Sequence, residues 1–461
     1  MTHHILILSG NLPGLLTAYR LIPYGFRITI LEGDSPVSPA NASIHFAGSM
    51  EPEDPSSLQP LTTQPPPLIL PRFYNSTWAL FQELAFEQTG QLIPVDLEFG
   101  TSEGQTLMLS NAKGIATLHP MIRLAGFRGL SWSDRWHLMN FLEKKWEESY
   151  SPDHHPDTLT VESWLISAQQ SALARQRIWN PFCRLFLGCD VTQASLGYFL
   201  EVLSRFWLSK PHGSDTLLAS PDLQNHLQQK LRHVLLEKGV TFYSSNAITG
   251  IQADTERIQA IGLAKGERLN ADIYVSPLSP PELLRLLPER APARFSCFSH
   301  LAQLQESSGT LVRLTLNNTL LPPRLILNSG VFDWVTSQTV PYTDGPTTLV
   351  TGINLSSSPS SLHPGDWLRE TAWPHLKKIL NICPEQSMPA CAPPITQSAY
   401  QYIPCLTGFR TFRPLSNTPI PNLFLAGPWT ATPLPPSLES TVLSAYACAR
   451  AVTEWVQTSS H

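Results

Sequence analysis

The sequence predicts a mixed α/β fold in which one parallel sheet is assembled from three separated stretches of the chain, with an α+β region inserted between them. Three observations indicate this. The chain opens with an apolar run, a glycine-containing turn, a helix-compatible segment and a second apolar run that ends at Glu32. A buried-type strand at 269–277 ends in a proline turn, and the strand at 422–427 leads through a glycine turn into a last helix. These pieces are typical of a discontinuous Rossmann-like domain.

The opening βαβ unit is the first candidate binding site. A helix N-terminus presents unpaired N–H groups and the positive end of the helix dipole, which suit a pyrophosphate, and an acid that closes the second strand suits a ribose. In the G-x-G-x-x-G frame Gly14 keeps its register, Gly10 lies inside the turn, and Ser9 and Asn11 replace the other two glycines. The unit therefore predicts either a dinucleotide site or a structural turn of the same shape.

The chain is too long for one ordinary core, so two packed domains are expected. The three stretches above place a dinucleotide domain at 1–70, 220–280 and 396–461. The α+β substrate domain then comprises 71–219 and 281–395.

Helical spacing and cap residues predict the helices of both domains. The predicted helices lie at about 73–92, from 134 after a Ser131 or Ser133 cap, after a Thr160 cap, at 223–238, near 366–382 and at 438–456. The runs 247–252 and 257–263 predict a small antiparallel sheet, and 310–316 predicts a strand of the insertion.

Composition excludes several classes of function. The chain carries 31 basic and 36 acidic residues, a net charge of −5, which provides no basic field for nucleic acid. Seven cysteines show no metal-like spacing, and His154 and His155 occupy a polar turn, so no metal site is expected. Without a leader or a membrane-length apolar run, we expect a cytoplasmic protein.

These segments together resemble the flavin amine oxidase and phytoene desaturase flavoproteins. The middle of the chain is similar to one branch of them, the hydroxysqualene dehydroxylases, also called squalene-associated FAD-dependent desaturases. The stretches that carry this resemblance are GLSWSDR at 129–135, WNPFC at 179–183, GSDTLL at 213–218, FDW at 332–334 and LFLAG at 423–427.

The resemblance implies a GR2-type FAD domain, an FAD cofactor and a C30 isoprenoid substrate, hydroxysqualene, whose hydroxyl is removed to give squalene for hopanoid synthesis. It also implies contact with other enzymes of squalene formation and peripheral contact with the inner face of the membrane. The cofactor residues that it implies are Gly10, Asn11, Gly14 and Glu32 at the adenosine and pyrophosphate end, Ile248 at the adenine, and Gly427 and Thr430 at the flavin end.

The sequence departs from the family pattern mainly around the cofactor. Ser9 and Asn11 stand in for glycines, and Pro428 replaces an Asp that would bind the ribityl chain. Each change removes space or a hydrogen-bond partner, so FAD affinity is expected to fall.

Removal of a hydroxyl needs a proton donor, for which Asp215 and Glu439 are the candidates. Trp179, Phe182 and Trp334 are candidates for a substrate pocket whose aromatic faces stabilise positive charge. A helix cap or surface acid is the alternative role for Asp215, and core packing is the alternative for the aromatic residues.

Two other functions fit the same sequence. The first is a carotenoid or phytoene-type desaturase, which uses oxidised flavin to remove hydride. The second is a non-catalytic homologue that has lost FAD and acts as a lipid-binding or partner protein.

Overall fold

The fold is described from a computed structural model of the chain. The structure describes residues 3–33, 66–86, 92–100, 106–109, 129–147, 158–208, 213–220, 222–245, 248–254, 257–316, 320–327, 330–342, 345–355, 367–382 and 396–459. Residues 34–65 lie outside these ranges, as do His154 and His155.

One of the two large sheets of the fold is parallel and has five strands. Its strands in spatial order are β18 (Leu423–Leu425), β12 (Ile273–Ser276), β1 (His4–Ile7), β2 (Arg27–Gly33) and β8 (Thr241–Ser245). All four strand pairs are parallel. Strands from the beginning, middle and end of the chain therefore form one sheet, and the predicted α/β class with a parallel sheet is confirmed.

Three helices pack together beside this sheet. They are α1 (Leu12–Leu21), α8 (Leu223–Glu237) and the C-terminal α14 (Leu438–Ser459), with α1 contacting both of the others. The predicted helices at 223–238 and 438–456 are confirmed, since their leucine and valine spacing gives each one a buried stripe.

The second large sheet of the fold has seven strands. Its order is β17 (Thr396–Tyr402), β13 (Ser307–Leu316), β16 (Gly345–Asn354), β15 (Trp334–Tyr342), β14 (Arg324–Leu327), β5 (Leu97–Gly100) and β6 (Thr106–Leu109). One face packs on α12 (Trp373–Ile379) through Val312, Val335 and Val350. The opposite face carries Leu311, Leu325 and Trp334 into the main core.

Two small sheets complete the β-structure. One has the order β3 (Ile69–Pro71), β7 (Thr216–Ala219), β4 (Leu92–Val95), and the other has the order β11 (Arg268–Leu269), β10 (Ile258–Leu263), β9 (Ile248–Ala253). The predicted pairing of the last two strands is confirmed.

The remaining helices cover the two larger sheets. They are α2 (Asn75–Glu83), α3 (Trp132–Glu147), α4 (Val161–Ser167), α5 (Ala172–Ala174), α6 (Asn180–Leu187), α7 (Leu196–Leu203), α9 (Pro280–Leu286), α10 (Arg290–Arg294), α11 (Ser296–Leu301) and α13 (Phe409–Phe412). Single π-helical turns at Arg175–Trp179, Ser204–Leu208 and Leu368–Ala372 continue α5 into α6, extend α7 and precede α12.

Cap residues fix the start of two predicted helices. The Thr160 hydroxyl accepts the Ser163 N–H at 3.2 Å, as the predicted cap requires. Of the two serines proposed for α3, Ser131 is the cap, because its hydroxyl accepts the Asp134 N–H at 3.1 Å.

Candidate cofactor and substrate site

The candidate cofactor site lies at the carboxyl edge of the parallel sheet. Because the strands run in one direction, the Ser9–Gly14 turn after β1, Glu32 near the end of β2, Pro277 after β12 and Gly427 after β18 are brought to the same edge. Ligands of open α/β sheets bind at this edge. The three predicted pieces of the cofactor site therefore converge in space.

The turn before α1 is built by Asn11 and Gly14. The Asn11 side chain accepts the Gly14 N–H at 3.1 Å and donates to the Pro277 carbonyl at 2.7 Å. A Cβ on Gly14 would lie 2.1 Å from the Ser9 carbonyl oxygen, so only glycine fits there. Asn11 thus serves as the N-cap of α1 and ties this turn to the end of β12.

The same turn offers few free donors to a pyrophosphate. Of the first three residues of α1, Pro13 has no N–H, and the N–H of Gly14 is used by Asn11. The sequence predicted crowding by the Asn11 side chain. The structure shows a different effect on pyrophosphate binding. The Asn11 side chain turns back onto α1 and accepts the Gly14 N–H, which is then not available to a phosphate.

Glu32 lies beside Gly10, as expected for an acid that meets a ribose. A Cβ on Gly10 would be 3.6 Å from the Glu32 Oε1 atom. The carboxylate pairs with Arg232 of α8, whose guanidinium also lies 4.2 Å from the centre of the Phe242 ring. Arg232 was not anticipated from the sequence, since it comes from a helix that is 200 residues away along the chain.

The flavin end of the predicted site is a tightly bonded turn. Gly427 has φ +153°, and a Cβ there would lie 2.6 Å from the Trp429 indole nitrogen. Its N–H donates to the Ser444 hydroxyl of α14 at 2.8 Å. The buried Thr430 hydroxyl bonds to the Gly427 carbonyl at 3.0 Å and to Ser444 at 2.6 Å. This network fixes the turn against the first part of α14.

Arg413 also stabilises this turn, and the sequence did not predict this role. Its buried guanidinium donates to the carbonyl oxygens of Pro428 at 2.6 Å and Leu434 at 2.7 Å, and to the Tyr198 hydroxyl at 2.7 Å. No carboxylate pairs with it in the described part of the chain.

Ile248, predicted to face the adenine, is the first residue of β9. It follows the end of β8, which is the strand next to β2 and Glu32. Its place at this edge is compatible with the predicted role, which stays a prediction.

Glu439 does not have the geometry of a proton donor. Its buried carboxylate accepts the N–H groups of Ser76 at 2.9 Å and Thr77 at 2.8 Å, together with the Thr77 hydroxyl at 2.7 Å. These donors belong to the first turn of α2, where a negative charge is favoured. The prediction of a catalytic acid is therefore wrong for Glu439, which caps α2 from α14.

Asp215 is half-buried and directly precedes β7. Its carbonyl oxygen accepts the Arg72 N–H at 2.7 Å, which fixes the backbone between β7 and β3. It is the remaining candidate for the proton donor.

Trp179 and Phe182 form core structure and do not line an open pocket. Both are 0% exposed. Phe182 stacks on Trp207 with ring centres 5.0 Å apart, and Trp179 contacts Phe199 edge-on at 5.7 Å. The prediction of pocket residues is wrong for these two rings, because tertiary packing brings the aromatic residues of α6, α7 and the neighbouring π turns together.

An ion pair connects α6 with the FDW stretch at 332–334. Arg184 of α6 pairs with Asp190 and with the buried Asp333, whose other oxygen accepts the Leu355 N–H at 2.6 Å. Burial opposes ionisation of Asp190, but the hydrogen bonds and charge of Arg184 outweigh it and lower the Asp190 pKa. Trp334 follows Asp333 at the start of β15 and is 6% exposed.

Comparison with known proteins identifies the family to which this chain belongs. The model of the family described as flavin containing amine oxidoreductase matches residues 67–453. The chain belongs to this family. Its members are flavin oxidoreductases, so this amine oxidase family protein is an FAD-dependent oxidoreductase.

Curated relatives and a solved structure agree with that placement. A probable zeta-carotene desaturase of Synechococcus elongatus is 25% identical over 65% of this chain and 67% of its own length. The zeta-carotene desaturase of Synechocystis is 21% identical over 64% of this chain and 66% of its own length. The chain thus spans about two thirds of these relatives. A putrescine oxidase triple mutant shares the fold, with a TM-score of 0.66, 12% identity and coverage of 98% and 99% of the two chains.

The residues at the sheet edge fit FAD. Glu32 would hold the adenosine ribose, the N-terminus of α1 would hold the pyrophosphate, and the Gly427–Thr430 turn would hold the flavin end. Asn11 and Pro13 together remove two donors from the predicted pyrophosphate end, in line with the expected fall in FAD affinity.

In the part of the chain that the structure describes, no helix combines the length and hydropathy needed to cross a membrane.

Proposed function

We propose that this flavoprotein removes the hydroxyl group of hydroxysqualene reductively and releases squalene. One contact carries the proposal. Arg184, which directly follows the WNPFC stretch, pairs with Asp333 of the FDW stretch about 150 residues away, and both stretches resemble those of hydroxysqualene dehydroxylases. Membership of the flavin containing amine oxidoreductase family supplies the cofactor for such a reaction.

The chemistry requires two electrons, which an external reductant delivers through the cofactor. When bound and reduced, FAD supplies a hydride to the carbon whose carbon–oxygen bond breaks, and the hydroxyl leaves as water after taking a proton. The chain supplies that proton, and Asp215 is the proposed donor. The aromatic core around Trp179 and Phe182 stabilises α6, α7 and the neighbouring π turns, and we propose that these elements exclude water from the substrate.

A second candidate is desaturation of a carotenoid-type hydrocarbon. The similarity to two proteins named as zeta-carotene desaturases favours it. This reaction runs in the opposite sense, because the cofactor would take electrons from carbon and no proton donor would be needed at an oxygen.

Product analysis with purified, FAD-loaded protein separates these candidates. Squalene formed from hydroxysqualene in the presence of a reductant supports dehydroxylation. Additional double bonds in phytoene or zeta-carotene, with no squalene, would favour desaturation. A protein that takes up no FAD after reconstitution would instead fit a non-catalytic lipid-binding homologue.

We also propose peripheral contact with the membrane that holds the lipid substrate, and contact at that membrane with other squalene-forming enzymes. Two tryptophans one helical turn apart support this contact, because Trp132 and Trp136 of α3 are 69% and 55% exposed. Tryptophan prefers the interface between water and lipid.

A further inference from the structure

A patch of buried polar side chains lies on the inner face of the seven-stranded sheet. It consists of Arg313 and Thr315 of β13, Thr351 of β16, and Thr336 and Gln338 of β15. All five are buried, with at most 7% of each residue exposed. We call these five residues the polar patch.

Strand register shows that the polar patch is continuous. Arg313 pairs with Thr351, which in turn pairs with Thr336, so the three lie side by side across three strands. Thr315 and Gln338 occupy the next row on either side of Leu349. Side chains two residues apart along a strand share a face. Leu314, Val335 and Val350 point to α12, so the patch points the other way, into the main core.

The hydrogen-bonding capacity of the polar patch is largely unused. The hydroxyls of Thr315, Thr336 and Thr351 and both amide atoms of Gln338 have no hydrogen-bond partner in the described structure. Buried polar groups are nearly always paired, and each unpaired one needs an explanation such as a bound water or ligand. Five such atoms on one continuous face point to a binding site for a ligand with polar groups.

The surroundings indicate what the occupant is. The row next to the patch on the same face is apolar and contains Leu311, Ile353 and Trp334 in register. A ligand that lies along this face meets hydrocarbon surface first and then hydroxyl, amide and guanidinium groups. An isoprenoid chain that carries an oxygen atom matches this order, whereas a pure hydrocarbon would leave the polar groups unpaired.

We propose that the polar patch is the subsite that holds the oxygen-bearing carbon of an isoprenoid alcohol, with the hydrocarbon chain running over Trp334. This inference rests on the proposed function and narrows its substrate class to oxygenated isoprenoids. The donors of the patch hold the hydroxyl oxygen, and the Gln338 carbonyl accepts its proton.

Equilibrium binding of two ligands that differ by one hydroxyl tests the subsite. The FAD-loaded protein is titrated with hydroxysqualene and with squalene, and binding is followed by tryptophan fluorescence. The wild-type protein is expected to prefer the alcohol by at least about tenfold. In Thr336→Val with Gln338→Met the preference should fall to about twofold, because the polar partners are gone. Ser337→Ala is the matched control, since Ser337 lies on the opposite face and bonds to the Pro322 carbonyl.

A melting experiment without ligand provides an independent readout. Thr336→Val alone should raise Tm, because it removes a buried unpaired hydroxyl while keeping the shape of the side chain. A lower Tm, or an alcohol preference that persists in the double variant, would overturn the subsite. Binding is measured without turnover, so an alcohol preference in a protein that forms no squalene would refute the proposed reaction and leave the subsite standing.

Discussion

The Asn11 side-chain oxygen lies 3.1 Å from the Gly14 nitrogen and caps α1, the helix predicted to bind the pyrophosphate of FAD. This contact stabilises the turn but uses a donor that a phosphate would otherwise receive. Pro13 removes a second donor. The first part of the predicted cofactor site therefore keeps the shape of a dinucleotide turn but offers two fewer N–H donors.

Restoring these donors should tighten FAD binding. In Asn11→Gly with Pro13→Ser, two N–H groups become available, and the affinity is expected to rise at least about tenfold. Replacing an Asn cap by Gly costs only a few tenths of a kcal/mol of stability. Titration of the apoprotein with FAD, followed by flavin fluorescence, measures the effect. Thr160→Gly, which removes the cap of α4, is the control, and equal affinities for the double variant and the wild type would contradict the prediction.

Removing the Glu439 carboxylate should destabilise the fold. Glu439→Ala leaves two backbone donors of α2 and the Thr77 hydroxyl without their buried partner, at a cost of about 3 kcal/mol. Denaturant unfolding measures the loss. Glu454→Ala, at an exposed site on the same helix, should change stability by less than about 0.5 kcal/mol. If Glu439→Gln keeps full stability and abolishes turnover, the carboxyl is catalytic after all.

The Arg184–Asp333 pair should contribute more to the free energy of unfolding than a surface ion pair does. Arg184→Met leaves the buried Asp333 carboxylate without its cation, and we expect a loss of about 3 kcal/mol. Arg175→Met, which breaks the more exposed pair with Glu162, should cost about 1 kcal/mol or less. The double variant Arg184→Met with Asp333→Leu should recover part of the loss. Equal effects of the two single Arg variants would show that the pair has no special role.

Stability should fall as the pH drops below about 6.5, the ordinary pKa of histidine. Burial, with help from the charge of Arg27, lowers the pKa of His4, and burial and Lys378 lower the pKa of His375. The unfolded chain then binds more protons than the native one, so acid favours unfolding until the lowered native pKa values are passed. His4→Gln with His375→Gln should flatten this slope. If this double variant keeps the wild-type slope of stability against pH, His4 and His375 are not the source of the pH dependence.

The exposed tryptophans of α3 should support binding to lipid. Trp132→Ala with Trp136→Ala is expected to weaken binding to phospholipid vesicles several-fold, because two interfacial side chains are lost. Co-sedimentation measures the bound fraction. Tyr24→Ala, at another exposed aromatic site, is the control. If the double variant binds vesicles as well as the wild type does, α3 is not the surface that contacts the membrane.

The sequence predicted features that depend on local patterns. Thr160 and the leucine stripe of α8 identified their helices, and the order of apolar runs identified the parallel sheet. Gly14 and Glu32 were placed at the correct edge because strand direction alone brings them together.

Contacts between distant parts of the chain were not predictable in this way. Glu439 meets Thr77 across 362 residues, and no local signal distinguishes that cap from a free acid. The aromatic spacing around Trp179 fits a pocket as well as a core, and only packing between helices decides between them. Arg232 reaches Glu32 from another element, so the pairing depends on the tertiary fold.

Anaerobic reaction of the reduced, FAD-loaded protein with hydroxysqualene is the decisive test of reductive dehydroxylation. We expect the visible absorption of oxidised flavin to return as squalene appears, one molecule for each flavin. Flavin that stays reduced, with hydroxysqualene recovered intact, would contradict it.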